Sequence, residues 1–360
     1  MPAGAILHKK CNPSEALGHQ ALVALVTHLC LRAQPLMQYD ISVIIEWENA
    51  LLAEQKRCSD MLTQLRQQVH DSLRSVEVLV LFNPEQVGRG VIEEAVAKYL
   101  VPVDPNGRTV VCRIAEGIGL HYYQLKNLGA KLARGQVIAF ADSDSIPEEG
   151  WLHALTNPFW EHPEIQVLAG LTYLDPEGLL GRAFALGWFF PLRSEKPVLN
   201  NGVRRFFANN VAFRRQVFES HPFPEMAEGM TRGACVQLAG LLRREGIVIW
   251  SNSAARSSHP APNGLAHFAA RGLAQGRDWA MAGQENGTPV WRTILRTSRK
   301  VFPLTWRMLK CCIRHGRTVG LPVWQVPLAV GLMSLFYLEY CLGACAYALA
   351  PDRSRRWWRI

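Results

Sequence analysis

From residue 41 onward, short runs of β-branched and apolar residues alternate with longer segments whose apolar positions recur at helical spacing. The runs "ISVII" (41–45), "EVLVLF" (77–82), "TVVCRI" (109–114) and "QVIAFA" (136–141) have the length and composition of strands. Between them, residues 50–70 place Leu51, Leu52, Met61, Leu62 and Leu65 on one helical face. Residues 91–100 predict a second helix, and "YYQLKNLGAKLARG" predicts a third that closes at Gly135. Strands alternating with helices at this pitch point to βαβ units, and so to an α/β chain on a mostly parallel sheet.

Past residue 150 the pattern loosens. "IQVLAGLTYL" (165–174) reads as strand, and "NGVRRFFANNVAFRRQVFESHPF" (201–223) runs from a polar loop into a helix. "CVQLAGLLRREG" (235–246) is an amphipathic helix closed by Gly246, and "IVIWSNSAARSSHPAP" (247–262) returns as strand and loop. From residue 290 aromatics and aliphatics interleave with bases, the composition of an interfacial segment.

Residues 321–350 then carry one charged side chain, Glu339. At about 1.5 Å per helical residue that run exceeds a hydrocarbon core of about 30 Å. One tilted span, or a re-entrant hairpin broken near Pro322 or Pro327, fits better than two spans, which need about forty residues. A buried helix pair of a soluble protein is the alternative. Basic flanks on both sides leave the positive-inside rule undecided.

At the other end, Lys9, Lys10 and "ALVALVTHLCL" (21–31) superficially resemble a signal peptide. Polar residues separate the charges from the run and His28 interrupts it, while Ser14 and Glu15 read as a helix start. The expected organisation is an N-terminal helical extension (1–38), a catalytic-sized domain (39–265) and a basic amphipathic linker with interfacial helices (266–318). A transmembrane or re-entrant segment (319–350) and a basic tail (351–360) follow.

The net charge of +9 concentrates in that C-terminal region, where residues 292–317 hold Arg and Lys but no acid. Either nucleic acid or an anionic membrane surface would answer such basicity. The adjoining apolar run makes the membrane the more economical partner, and nucleic acid is not expected. The nine cysteines show no paired CxxC spacing, which argues against a zinc site or a disulfide framework and fits a reducing compartment.

The candidate chemistry sits in "VIAFADSDSIPEEGW" (137–151), where a buried-type strand ends in two carboxylates, Asp142 and Asp144. Desolvation and mutual repulsion both disfavour such a pair unless something positive lies with it. A hard divalent cation shared with phosphate oxygens is one economical answer. The carboxyl end of a strand is also where open α/β sheets place their ligands.

"LKNLGAKLARGQVIAFADSDSIPEEGWL" resembles the glycosyltransferase family 2 segment, in which an Arg-Asn-x-Gly helix, an Ala-x-Gly turn and a strand lead into a DxD motif. Lys126, Asn127, Gly129, Ala133 and Gly135 fall in register with it, Lys126 replacing the usual arginine. "ISVIIEWEN" resembles the family's first strand and "FFANNVAFRRQVFESHPF" its acceptor-side strand and helix. The resemblance covers roughly residues 41–262. It implies a GT-A fold with a mixed, mostly parallel sheet, a nucleotide-sugar donor, and Mg²⁺ or Mn²⁺ as cofactor.

By carry-over, Asp142 would lie near the donor ribose or the metal, and Asp144 would bind the metal. His259, in "ARSSHPAP", stands where many members carry a histidine near the metal or diphosphate; a plain loop histidine is the other reading. Asn49 matches an asparagine that follows the first strand, with nucleotide contact and a turn or helix N-cap both open. Lys126 falls on the donor side.

Departures from the family pattern are local. Glu46 replaces a proline, and Phe82 with Asn83 replaces the acidic pair that helps read the base, with Glu48 or Glu85 as compensating carboxylates. At the helix start "TRGACVQLAGLL", Ala234 and Cys235 stand where a carboxylate base is usual. Glu225 and Glu228 are the nearby acids that could serve as base. Arg232 could instead stabilise an anionic acceptor or the departing diphosphate.

The resemblance, with the apolar C-terminal run, thus implies a membrane-bound, metal-dependent and inverting glycosyltransferase, its catalytic domain facing the cytoplasm, acting on a lipid-linked or glycan acceptor. A catalytically silent nucleotide-sugar-binding protein of the same fold is the alternative.

Overall fold

The computed structural model describes residues 38–48, 55–102, 107, 109–226, 230, 233–285 and 287–354. Residues 1–37 of the expected N-terminal helical extension (1–38), Asn49, Glu228, Arg232 and the last six residues lie outside them.

The order begins β1 (Tyr39–Glu46), α1 (Gln55–His70), β2 (Val76–Phe82), α2 (Arg89–Ala95), β3 (Val111–Glu116), α3 (Tyr122–Leu132) and β4 (Gly135–Asp142). It continues with β5 (Ile146–Pro147), α4 (Trp151–Thr156), α5 (Pro158–Glu161), β6 (Val167–Leu174), α6 (Gly178–Gly187), β7 (Leu199–Asn200) and β8 (Asn210–Arg214). Then come α7 (Arg215–Ser220), α8 (Ala234–Arg244), β9 (Ile249–His259), α9 (Gly264–Glu285), α10 (Val290–His315), α11 (Val326–Leu349) and α12 (Pro351–Ser354).

Among the described residues the strands form one mixed sheet in the order β3-β2-β1-β4-β8-β6-β9-β5, with β7 also on β9. The β3-β2-β1-β4 half is parallel, while β8 runs antiparallel to both β4 and β6. Side chains alternate across the parallel half. Val43, Ile45, Val78, Val80, Val137 and Ala139 belong to one core, and Ile44, Leu79, Leu81, Ile138 and Phe140 to the other. Burial on both faces is why these strands read as unbroken apolar runs.

Two glycines of the α3–β4 stretch hold the layers close. A Cβ on Gly129 would come within 2.6 Å of Ile44 Cγ2, and one on Gly135 would overlap the Ser42 backbone. The helix predicted to run to Gly135 therefore ends at Leu132, because Gly135 already pairs with Tyr39 in the sheet.

The C-terminal helices share a third core, in which Phe184 of α6, Phe268 of α9, Met308 of α10 and Met333 and Phe336 of α11 are all buried. The apolar run predicted as one span or a hairpin is one continuous helix. Pro327 sits in its first turn, where a missing N–H leaves no bond unmade, so it does not break the chain direction. With its preceding turn this helix is long and apolar enough to cross a membrane. One face packs on its neighbours, while Leu328, Leu335, Leu342 and Leu349 stand exposed at seven-residue intervals. On α10, Trp291, Leu295, Phe302, Trp306 and Ile313 make a second exposed apolar stripe.

Candidate active site

Asp142 is the last residue of β4, and Asp144 lies in the turn that follows. That turn folds back at once, since Ile146 and Pro147 pair antiparallel with Ser258 and Ser257 at the end of β9. The pairing draws Asp144 to His259, the last residue of β9. Ligand atoms of Asp142, Asp144 and His259 all lie within 4.8 Å of one another, and all three residues are buried.

Arg57 of α1 ties the three loops together. Its Nε donates to the Asp144 carbonyl at 2.7 Å, Nη1 to Asp175 Oδ2 at 3.2 Å, and Nη2 to the Ser258 carbonyl and hydroxyl at 2.6 and 2.8 Å. Nothing in the sequence pattern singled it out; it is one base among several on an amphipathic helix.

Beneath the site, Lys126 of α3 donates to Asp142 Oδ1 at 2.8 Å and to the Ala141 carbonyl at 2.9 Å, fully buried. The Tyr122 hydroxyl donates to both Asp142 oxygens, at 2.9 and 3.0 Å. Lys126 is thus the counter-charge under Asp142. Register also places Glu46 opposite Asp142, so a third buried carboxylate joins the cluster where the family carries a proline.

The electrostatics follow from burial. Desolvation raises the Asp142 carboxyl above its ordinary value, with Lys126 opposing and Asp144 reinforcing. Asp144 is raised by burial against the opposing fields of Arg57 and Arg271. Burial, then Asp142, pushes Glu46 well up. His259 is held down to about 3 by burial and then by Arg271, so its ring is neutral. Its Nδ1 lies 2.8 Å from the Pro260 carbonyl, which can only accept, and this leaves Nε2 as the ligating nitrogen. Two carboxylates and a neutral imidazole, with more negative charge than burial tolerates, suit a divalent cation of the Mg²⁺ or Mn²⁺ kind.

The profile of Glycosyl transferase family 2 matches residues 95–221, from the end of the second β–α unit through the DxD turn to α7. This chain carries a glycosyl transferase family 2 domain. It is therefore a glycosyltransferase by class, with the GT-A fold. No curated protein sequence matches the chain. Among solved structures, the mannosyltransferase PcManGT from Pyrobaculum calidifontis, in complex with GDP-Man and Mn²⁺, is 13% identical. That match covers 93% of this chain and 96% of the other, at a TM-score of 0.49. GalNAc-T7 with UDP, GalNAc and Mn²⁺ is 12% identical, covering 62% and 44%, at a TM-score of 0.42.

The other residues singled out in the sequence are dispersed around this centre. Glu48 accepts the Tyr122 N–H at 2.7 Å and pairs with His121 at 2.9 Å, one side chain away from Asp142. Asn83 is buried, its Oδ1 accepting from the N–H groups of Glu85 and Gly119, so it braces the loop after β2. Glu85 is exposed.

Glu225 is exposed beside Met226, whose Cε lies 3.4 Å from where a Cβ on Gly233 would stand, at the start of α8. Cys235 is buried, its Sγ 3.5 Å from the Tyr123 hydroxyl, and burial pushes its thiol up to about 11. A neutral thiol in that setting packs rather than abstracts protons.

Proposed function

We propose that this chain transfers a sugar from a nucleotide-sugar donor, in a metal-dependent and inverting reaction, to a lipid-linked or envelope-polysaccharide acceptor at a membrane. The observation that carries the reading is the buried Asp142, Asp144 and His259 cluster at the carboxyl end of the sheet. Mg²⁺ or Mn²⁺ held there would offset the charge that develops on the leaving diphosphate. Asp142 is fixed by Lys126 and Tyr122, and Asp144 by the loop that Arg57 pins. Glu48, Asn83 and Glu85, which follow β1 and β2, serve the nucleotide, as does Asn49. Glu225, Glu228 and Arg232 precede α8 and serve the acceptor side.

Membrane association is supported by α11 and by the exposed aromatic stripe of α10, which is flanked by Arg292, Arg296, Arg299, Lys300, Arg307 and Lys310. Such a helix lies well in an anionic interface, and the cytoplasmic leaflet carries that charge, which favours a catalytic domain facing the cytoplasm. A second reading, a silent nucleotide-sugar-binding protein, is favoured by one observation: the helix start offers the buried Cys235 in place of a carboxylate.

Calorimetric titration of the detergent-solubilised chain with UDP-, GDP- and dTDP-sugars, each with Mn²⁺ or EDTA, tests the donor half. Metal-dependent binding of one nucleotide, lost in Asp144→Ala, is expected. Wild-type affinity in Asp144→Ala would overturn the metal assignment. Donor binding without hydrolysis or transfer across a broad acceptor panel would establish the silent reading.

A further inference from the structure

Although α11 is apolar enough to cross a membrane, it is packed lengthwise between α9 and α10. α10 runs antiparallel to it. The Thr305 and Ser334 hydroxyls meet at 3.1 Å near the middle of the pair. Toward one end, Val290 and Ile294 pack in the cluster of Ala344 and Tyr347, and toward the other Met308 and Cys312 share a core with Ala329 and Met333. At about 1.5 Å per residue, the pairing follows α11 for roughly 27 Å, close to the thickness of a hydrocarbon core.

On its other side α11 touches α9 backbone to backbone. A Cβ on Gly276 would overlap the Tyr340 carbonyl, and one on Gly343 would overlap the Leu273 carbonyl. Phe268 with Phe336, 5.5 Å between ring centroids, and Gln284 with the Tyr347 hydroxyl carry this pairing toward both ends, parallel in direction. Nη1 of Arg277 donates to the Ser354 carbonyl at 3.4 Å, so the chain just beyond α11 is tied back to α9.

Neither neighbour suits a hydrocarbon core. α10 carries a base in nearly every turn from Arg292 to Arg314, and no acid. α9 carries the buried ion pair of Arg277 with Asp278, 2.7 Å apart. A span by α11 would draw both helices, and the turn that joins them, through the bilayer with it, and charged side chains at the bilayer centre are expensive.

The surfaces these helices leave uncovered fit a lipid leaflet instead. The exposed large side chains of α11 are leucines, Leu338 among them, and on α10 Phe302 and Trp306 are 78% and 51% exposed. The α10 stripe recurs at four- and seven-residue steps and so keeps to one helical face. Bases stand beside it: Lys310 Nζ lies 5.5 Å from the Trp306 ring, and Arg292 Cζ 5.2 Å from the Trp291 ring. Aromatics at the acyl boundary with bases at headgroup level are the pattern of a helix lying in the plane of an anionic interface. A helix packed lengthwise and antiparallel on an in-plane helix lies in the plane as well.

We propose that α11 does not cross the membrane. α9, α10 and α11 lie together on one leaflet, the aromatic stripe of α10 and the leucine stripe of α11 seated in lipid with anionic headgroups, and both ends of α11 stay on the side of the catalytic domain. This rests on the membrane association proposed above and is independent of the sugar chemistry.

The full chain, with a C-terminal epitope behind a protease site, is synthesised in the presence of sealed phosphatidylcholine–phosphatidylglycerol vesicles and recovered by flotation. Protease should release the epitope completely from the outside, with nothing added by detergent. An epitope protected until detergent is present, on chains whose catalytic domain is digested outside, would overturn the proposal. Phe302→Ser together with Trp306→Ser, both at exposed positions, should lower vesicle partitioning by about tenfold or more. Partitioning within about twofold of wild type would also overturn it, because a spanning helix holds the chain without these side chains. If the wild-type chain does not float with vesicles, membrane association itself fails, an outcome distinct from the other two. A lipid-free dimer that the double variant dissociates would then assign the stripes to a second copy of the chain and overturn the leaflet seat.

Discussion

Replacing Lys126 by Met keeps the length of the side chain and removes its charge from beneath the DxD turn. Asp142 then loses a 2.8 Å ion pair in a place where neither partner has appreciable exposure. Glu46 stands opposite it in the sheet, and Asp144 lies in the turn beyond. Breaking such a pair from one side leaves a buried charge uncompensated, which costs about 3–5 kcal/mol. At about 2 °C per kcal/mol, the low end for a large domain, the melting temperature should fall by about 6–10 °C at neutral pH.

The direction of the pH dependence follows from the raised folded-state value of Asp142. Because the folded chain takes up this proton before the unfolded one, acidification favours the folded form, and more so once Lys126 is gone. The deficit should therefore be full above the raised value and narrow as pH falls through it. Mn²⁺ should rescue the variant by more degrees than it adds to the wild type, since binding to the folded state alone stabilises it. Differential scanning calorimetry near pH 7 and pH 5, with Mn²⁺ or EDTA, reads all three effects. A melting temperature within about 2 °C of wild type at pH 7, or a deficit that widens in acid, would refute the counter-charge argument.

Cys235→Ala should leave donor affinity within about twofold and the pH profile of transfer unmoved, because the buried thiol only packs against Tyr123; a loss of more than about a hundredfold in kcat would make it the base. Glu148 accepts from Arg193, Arg256 and Tyr173 at 2.6 Å each, and although burial raises its carboxyl, these donors outweigh that and hold it at about 2. The stability it adds is present above the ordinary value of 4.5 and lost as pH falls toward about 2, so Glu148→Gln should melt lower than wild type at pH 7 and converge with it in that window. A melting gap independent of pH would contradict this. Changing Arg299, Lys300 and Arg307 of α10 together to Gln should weaken sedimentation with anionic vesicles by roughly a hundredfold, at about 1 kcal/mol per charge, and leave neutral vesicles unaffected; equal loss on both would place these bases away from the lipid.

Much of the sheet was legible because burial on both faces writes a strand as an apolar run, and the DxD turn was legible because carboxylates at the end of such a run demand a reason. What periodicity does not carry is the partner of each strand. In sequence, 136–141 and 247–262 read as separate elements, yet the fold-back of Ile146 and Pro147 onto Ser258 and Ser257 is what brings Asp144 to His259. Arg57 escaped for the same reason, since it reaches the site from a helix whose own pattern reports only which side faces a core.

Glu46 carries the argument furthest. As a departure from a proline it reads as a lost turn, but in the sheet it is a buried carboxylate opposite Asp142, and burial drives it toward its neutral form. The site therefore gathers three buried carboxylates and one fully buried lysine, with Arg57 bonded to the Asp144 carbonyl. Such a cluster is poorly matched to an empty or purely structural role, because a core free of these charges would be at least as stable. It is well matched to a ligand that brings a divalent cation and an anionic diphosphate together.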